Sequence, residues 1–353
     1  MKISDIDPNF KISTSLDAEG LIFRDASKPP FSVHGVMTPD ESENYFRRCP
    51  KSLAMQANDS VKNLFSNTAG GRIRFRTDSP FVAIKAIYPN ICRMNHMAQC
   101  GISGFSIYAD ENGVQVYQGS FIPNDSKEYE NIFYFSDAKM RNITIYLPLY
   151  NNLTSLYIGL KDGSEILPGN PYKYSSPIVF YGSSITQGGC ASRPGTDYEG
   201  FISRELDADY INFGFSGGAK GEEPLAEYFS TLDMSVFVLD YDHNAPTAEF
   251  LDATHEKFFK IIRNARPELP IILVSKPQLH EGGERLERFQ VIKKTYDNAV
   301  AAGDKNVYLI DGSGFFASSP FNDPTVDNCH PTDFGFWLMA MGMTPVIRKI
   351  LEK

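Results

Sequence analysis

Long apolar runs are missing. No stretch approaches the roughly 18 residues that a membrane-spanning helix requires, and the opening MKISDIDPNF lacks the apolar core of a signal peptide. No membrane partner is expected; the compartment reads as cytoplasmic, or as secreted or periplasmic if a leader has been removed. Positive charge is short as well. The 34 Lys plus Arg stand against 43 Asp plus Glu, and the formal net charge of −9 gives phosphate backbones no footing, so nucleic acid is not expected as a partner. Cysteine is sparse: Cys49, Cys92, Cys100, Cys190 and Cys329 are too few and too scattered for a disulfide scaffold, and no CxxC pair points to structural zinc. Cys92 and Cys100 are near enough in sequence to bridge a loop, with reduced thiols the equal alternative. Neither GxGxxG nor a GK[ST] ending occurs, which argues against nucleotide chemistry.

Apolar residues, by contrast, are plentiful. They make up 42% of 353 residues, with 26 Phe and 18 Tyr, enough for real cores and for two domains. From about residue 21 to 160 the pattern is strand-like: RIRFRT at 72–77, FVAIKAI at 81–87, GFSIYAD at 104–110, GVQVYQG at 113–119, NITIYLPL at 142–149 and SLYIGL at 155–160. AspGluAsnGly at 110–113 reads as a hairpin turn. Strands at this spacing, without helical periods between them, predict an all-β, jelly-roll-like sandwich.

The Gly-, Pro- and Ser-rich stretch 162–177 marks a change of character, so the expected domains are 1–172 and 173–353. Beyond it, apolar runs at 178–182, 208–214, 235–241, 270–276 and 306–312 alternate with amphipathic stretches such as 248–266 and 284–302. A last helix is expected to start near Thr332. Five strands each followed by a helix predict an α/β fold with a flavodoxin-like, doubly wound parallel sheet. Ligands of such sheets bind beyond the carboxyl ends of the strands, which directs attention to the residues there.

The first strand ends in Gly182-Ser183-Ser184, where a hydroxyl can sit at a turn of small residues. It is not a GxSxG elbow, because Thr186 stands at the second glycine position. The second ends in Gly214-Phe215-Ser216-Gly217-Gly218, a glycine turn able to present a backbone N–H. The third leads to His243-Asn244, which sets a side-chain amide where it can donate to an oxyanion. Near the C-terminus, Asp327 precedes His330 by three residues, so the carboxylate can reach one ring nitrogen and leave the other for proton transfer.

Taken together, these four blocks resemble the SGNH (GDSL-like) hydrolases, over the half of the chain from residue 178 onward. The resemblance implies Ser184 as nucleophile, Asp327 and His330 as acid and base, and Ser184, Gly217 and Asn244 as the oxyanion hole. Ser183 departs from the Asp of the GDS wording. Gly104-Phe105-Ser106-Ile107-Tyr108 resembles the GxDLY signature of a branch with an N-terminal sandwich, though Ser106 and Ile107 replace its Asp and Leu. That branch resembles carbohydrate esterases, which implies a serine esterase acting on a short-chain acyl ester, an O-acetylated saccharide above all. The alternative is a saccharide-binding protein on an inactive scaffold of the same kind.

This chemistry needs no metal or cofactor. The six histidines, His34, His96, His243, His255, His280 and His330, show neither HxH nor HExxH spacing. Arg193 and His243 are candidates for a substrate rim. The implied fold also brings Cys190 and Cys329 to one site, where a disulfide or a packed loop floor are the alternatives. If His330 is a base of ordinary pKa, activity should fall as pH drops through ~6.5.

Overall fold

The computed structural model describes residues 12–277, 283–319 and 324–353; His280 lies outside them. The N-terminal strands are β1 (Leu21–Asp25), β2 (Ser32–His34), β3 (Arg72–Thr77), β4 (Phe81–Ile87), β5 (Phe105–Glu111), β6 (Val114–Phe121), β7 (Glu128–Tyr134), β8 (Arg141–Tyr146), β9 (Ser155–Lys161) and β10 (Ile166–Pro168). They form two antiparallel sheets, β1-β9-β4-β7 and β10-β3-β8-β5-β6, with β2 beside β3. The faces that meet bury Ile73 and Phe75, Val82 and Ile84, Ile143 and Ile145, and Ile158 and Leu160, pairs two residues apart as the pleat requires. The β5–β6 hairpin turns at Asn112 and Gly113, both at positive φ, the geometry that two-residue hairpin loops favour.

The second set of strands is β11 (Tyr174–Gly182), β12 (Ala208–Gly214), β13 (Val236–Asp240), β14 (Ile271–Val274) and β15 (Val307–Ile310). They form one parallel sheet in the order β12-β11-β13-β14-β15, the doubly wound arrangement in which the order reverses beside the first strand. The expected helices follow each strand: α1 (Tyr198–Leu206), α2 (Glu223–Ser230), α3 (Ala248–Ala265), α4 (Glu284–Ala301) and α5 (Asp333–Leu351). Alternation along β11 assigns the two faces. Ile178 and Phe180 pack with Tyr198 of α1 and with Phe336 and Met339 of α5. Val179 and Tyr181 pack with Leu225 of α2, Phe258 of α3 and Ile292 of α4. Among the described residues no helix is long and apolar enough to cross a membrane.

The sandwich and the parallel sheet share a core. Tyr108, Tyr146, Leu149 and Tyr150 join the cluster built on Ile178 and Phe180. Arg72 and Arg74, which alternate with the apolar residues of β3, are therefore not solvated; they are 0% and 1% exposed. Arg72 pairs with Asp209 and donates to the Tyr210 carbonyl at 2.9 Å, both on β12.

Candidate active site

The turn that carries Ser184 forms because β11 ends in residues that tolerate close contact. A Cβ on Gly182 would collide with the Thr186 side chain and the Asp240 carbonyl. The turn is then held from several sides. Gln187 N–H donates to the Ser183 carbonyl at 3.0 Å and Gly189 N–H to the Ser184 carbonyl at 2.8 Å. From the sandwich, Tyr150 donates its hydroxyl to the Ser184 carbonyl at 3.2 Å. Below it, Thr186 and Tyr198 donate to Asp240, whose carboxyl is pushed well above its ordinary pKa by burial and by Asp242. Asp240 is thus a buried hydrogen-bonding floor beneath the turn.

Ser184 is 5% exposed, and its Oγ lies 2.8 Å from His330 Nε2. The other ring nitrogen, Nδ1, lies 2.8 Å from Asp327 Oδ2. Asp327 Oδ1 accepts the backbone N–H groups of His330 at 2.8 Å and Cys329 at 3.1 Å, a tight loop in which Asn328 takes a left-handed φ of 63°. Against the upward push of burial, those N–H groups and the imidazole hold the Asp327 carboxyl below the ordinary range. His330 moves the opposite way. The Cys329 side chain beside it and, against burial, the Asp327 carboxylate raise its pKa to about 9. The sequence expectation of an ordinary imidazole left out the sulfur of the neighbouring Cys329.

Gly217 sits at φ 65° with open space where a Cβ would be, so conformation and not room calls for glycine there. Among the described residues, no acceptor is found for the N–H of Ser184 or of Gly217. Asn244 donates one amide hydrogen to the Phe215 carbonyl at 2.9 Å, which orients the side chain and leaves its second N–H. The Gly217 turn is braced from outside its own domain. Arg48, buried in the N-terminal part, donates to the Gly214 and Leu64 carbonyls and stacks on Phe215 at 4.4 Å from the ring centre. Gln187 completes the frame: its carbonyl accepts from Ser216 N–H at 3.0 Å and its amide donates to Asn67 at 3.1 Å.

The two rim candidates are both engaged within the protein. Arg193 donates to the Tyr108 hydroxyl at 2.6 Å and stacks on Tyr117 at 3.8 Å, so it fastens the loop after Ser184 to β5 and β6. His243 Nε2 lies 2.9 Å from Cys329 Sγ, and burial, helped by Lys276 and His330, pushes the His243 imidazole down to about 3. All five cysteines are free thiols, so neither pair considered for bridging is bridged. Residues without a sequence signal also belong here. Gln187, Tyr150 and Arg48 are structural partners recognisable only once the two domains meet, and His96, from a sandwich loop, holds its ring 5.5 Å from that of His330.

Residues 175–348 match the model of the GDSL-like lipase/acylhydrolase family, and residues 21–166 match that of the GxDLY-type N-terminus of SGNH-hydrolase esterases. No curated protein sequence matches the chain. Among solved structures, a protein described as a GDSL-like lipase from Bacteroides ovatus ATCC 8483 is similar at 30% identity and a TM-score of 0.85, over 94% of this chain and 98% of that one. A salicylyl-acyltransferase from a tetracycline biosynthetic pathway shares the fold at 18% identity and a TM-score of 0.77, over 95% of this chain and 98% of that one. So does an acetyl xylan esterase from the rumen bacterium Butyrivibrio proteoclasticus, at 14% identity and a TM-score of 0.57, over 94% and 99% of the two chains. A hydroxyl–imidazole–carboxylate chain at the ends of a doubly wound sheet, two matching models and a 30% identical relative along nearly the whole length lead to one conclusion: the chain belongs to the GDSL-like lipase/acylhydrolase family and is a carboxylic ester hydrolase with a GxDLY-type N-terminal domain.

Proposed function

We propose that the protein is a serine esterase that removes a short acyl group, acetyl above all, from a saccharide hydroxyl, with residues 173–353 as its catalytic domain. The observation that carries the reading is the chain from Ser184 Oγ through His330 to Asp327, with both links at 2.8 Å. His330 Nε2 takes the Ser184 proton as Oγ attacks the acyl carbonyl. Asp327 holds the proton on Nδ1 and stabilises the imidazolium. The oxyanion is received by the N–H groups of Ser184 and Gly217 and by the second amide hydrogen of Asn244. Collapse of the tetrahedral adduct breaks the ester C–O bond, and His330 returns its proton to the departing alcohol. Water then repeats the sequence on the acyl-enzyme and releases the carboxylic acid.

The saccharide half of the proposal draws on the acetyl xylan esterase that shares the fold. Its test is acetate release from acetylated xylo-oligosaccharides, run beside p-nitrophenyl acetate. Release from both supports the reading; release from the small ester alone overturns the saccharide half, and release from neither overturns the esterase. Asn244→Ala is expected to lower kcat about 100- to 1,000-fold while KM changes little, since the amide meets charge that develops only in the transition state.

The pH profile carries a further expectation. With a His330 pKa of about 9, pH 7 is about two units below it, so roughly one imidazole in a hundred is neutral there. The value of kcat/KM is expected to rise about fiftyfold between pH 7 and pH 9, where half of the imidazole is neutral, and Cys329→Ala to move that limb toward ~6.5. A plateau already reached at pH 7 would contradict the raised pKa.

A further inference from the structure

Beside the nucleophile, Cys190 Sγ and imidazole nitrogens of His96 and His330 lie within 4.8 Å of one another. They arrive from three separate stretches: the sandwich loop after β4, the nucleophile turn, and the loop before α5. Cys190 is 7% exposed and holds a left-handed φ of 73°, an unfavourable conformation for a residue with a Cβ. His96 is exposed and makes no hydrogen bond among the described residues, so its ring is free to turn. Asp327 accepts the Nδ1 proton of His330, the contact that orients a histidine to bind metal through Nε2. Ser184 Oγ, 2.8 Å from that nitrogen, or a water, can supply a fourth donor.

Two imidazoles and one thiolate are a zinc-type donor set. In a formed tetrahedral site such donors stand about 3.3–3.8 Å apart, so closure needs a contraction of about 1 Å, within reach of a turn of His96. A second grouping, Asp327, Cys329 and His330, also converges within 4.8 Å, but Asp327 is committed to His330 and Cys329 to His243.

We propose that His96, Cys190 and His330 bind a divalent cation of the zinc class, and that its hold on His330 Nε2 blocks proton transfer from Ser184. Binding displaces the Cys190 thiol proton to solvent and changes no oxidation state. The metal site stands on geometry; the inhibition rests on the esterase reading. Cobalt(II), titrated into the metal-free full chain as a spectroscopic stand-in for zinc, is expected to bind one equivalent with tetrahedral d–d bands and a thiolate-to-cobalt charge-transfer band. Cys190→Ser is expected to lose the charge-transfer band. His96→Ala, at an exposed position, is expected to weaken cobalt binding at least about tenfold. Zinc should stop p-nitrophenyl acetate hydrolysis, and EDTA should restore it. No charge-transfer band, or equal affinity in the parent and both variants, overturns the metal site. A band with turnover unaffected by zinc overturns the inhibition, whereas a band in a protein that hydrolyses no ester overturns the esterase reading and leaves the site standing.

Discussion

Ser184→Ala is expected to lower ester hydrolysis by about 10⁴- to 10⁶-fold in kcat/KM, because every covalent step passes through the Oγ. The loss should not come from unfolding. The hydroxyl's hydrogen-bond partner is His330, and the turn is held by backbone groups and by Tyr150, which alanine leaves in place. Far-UV circular dichroism and the urea midpoint should therefore match the parent. What remains should be the slow reaction of water at a site that still has the oxyanion donors. In the proposed mechanism Ser184, His330 and Asp327 act as a unit, so adding His330→Ala to Ser184→Ala should cost little more. Parent and variant turning over p-nitrophenyl acetate equally would remove Ser184 as the nucleophile and with it the mechanism.

Arg72→Met is expected to destabilise the protein by about 3–5 kcal/mol, read as a lower urea midpoint. Arg72 is 0% exposed, between β3 of the sandwich and β12 of the parallel sheet. Its guanidinium pairs with Asp209, donates to the Tyr210 carbonyl at 2.9 Å and the Tyr172 hydroxyl at 3.1 Å, and lies 3.8 Å from the centre of the Tyr210 ring. Methionine restores much of the volume but leaves Asp209 with His34 at 2.8 Å as its one ion-pair partner among the described residues. The carboxylate stays mostly buried, and an uncompensated buried charge is the costly product of breaking such a pair. Arg72→Lys should recover part of the loss, since a point charge cannot reproduce the fork. Adding Asp209→Asn to Arg72→Met should recover part of it too, by removing the stranded charge. A change below about 1 kcal/mol would show that the two domains do not lean on this strut.

The same contacts bear on what the sandwich is for. Arg48 holds the turn that carries Gly217, Tyr150 holds Ser184, and Asn67 accepts from Gln187. A chain cut near Gly169 would expose Arg72 and Arg74 without their partners, so the sandwich and the parallel-sheet half are expected to depend on each other for stability. Comparing the stability of residues 1–169 with that of the full chain would test this.

Much of this molecule is readable in local sequence. The five parallel strands are short apolar runs between amphipathic stretches, and a doubly wound sheet directs the loops after such runs toward one edge. Ser184, Gly217, Asn244, Asp327 and His330 were legible because each sits in one of those loops, or in the DxxH stretch before α5, and carries a group whose chemistry is its own. Weak strands were not: β2 and β10 have three residues each, and Glu128–Tyr134 alternates too little to mark β7. In RIRFRT the period of two was legible, and it alone would have sent Arg72 and Arg74 to water. Only the tertiary structure decided that they are buried, because Asp209 lies 137 residues further along the chain. It also decided that His243, its imidazole pushed down by burial, meets Cys329, and that His96 joins the site from the other domain. The division has one physical cause: a residue's chemistry and its place in a repeating pattern are local, whereas its pKa, burial and partners are set by groups that only folding brings near.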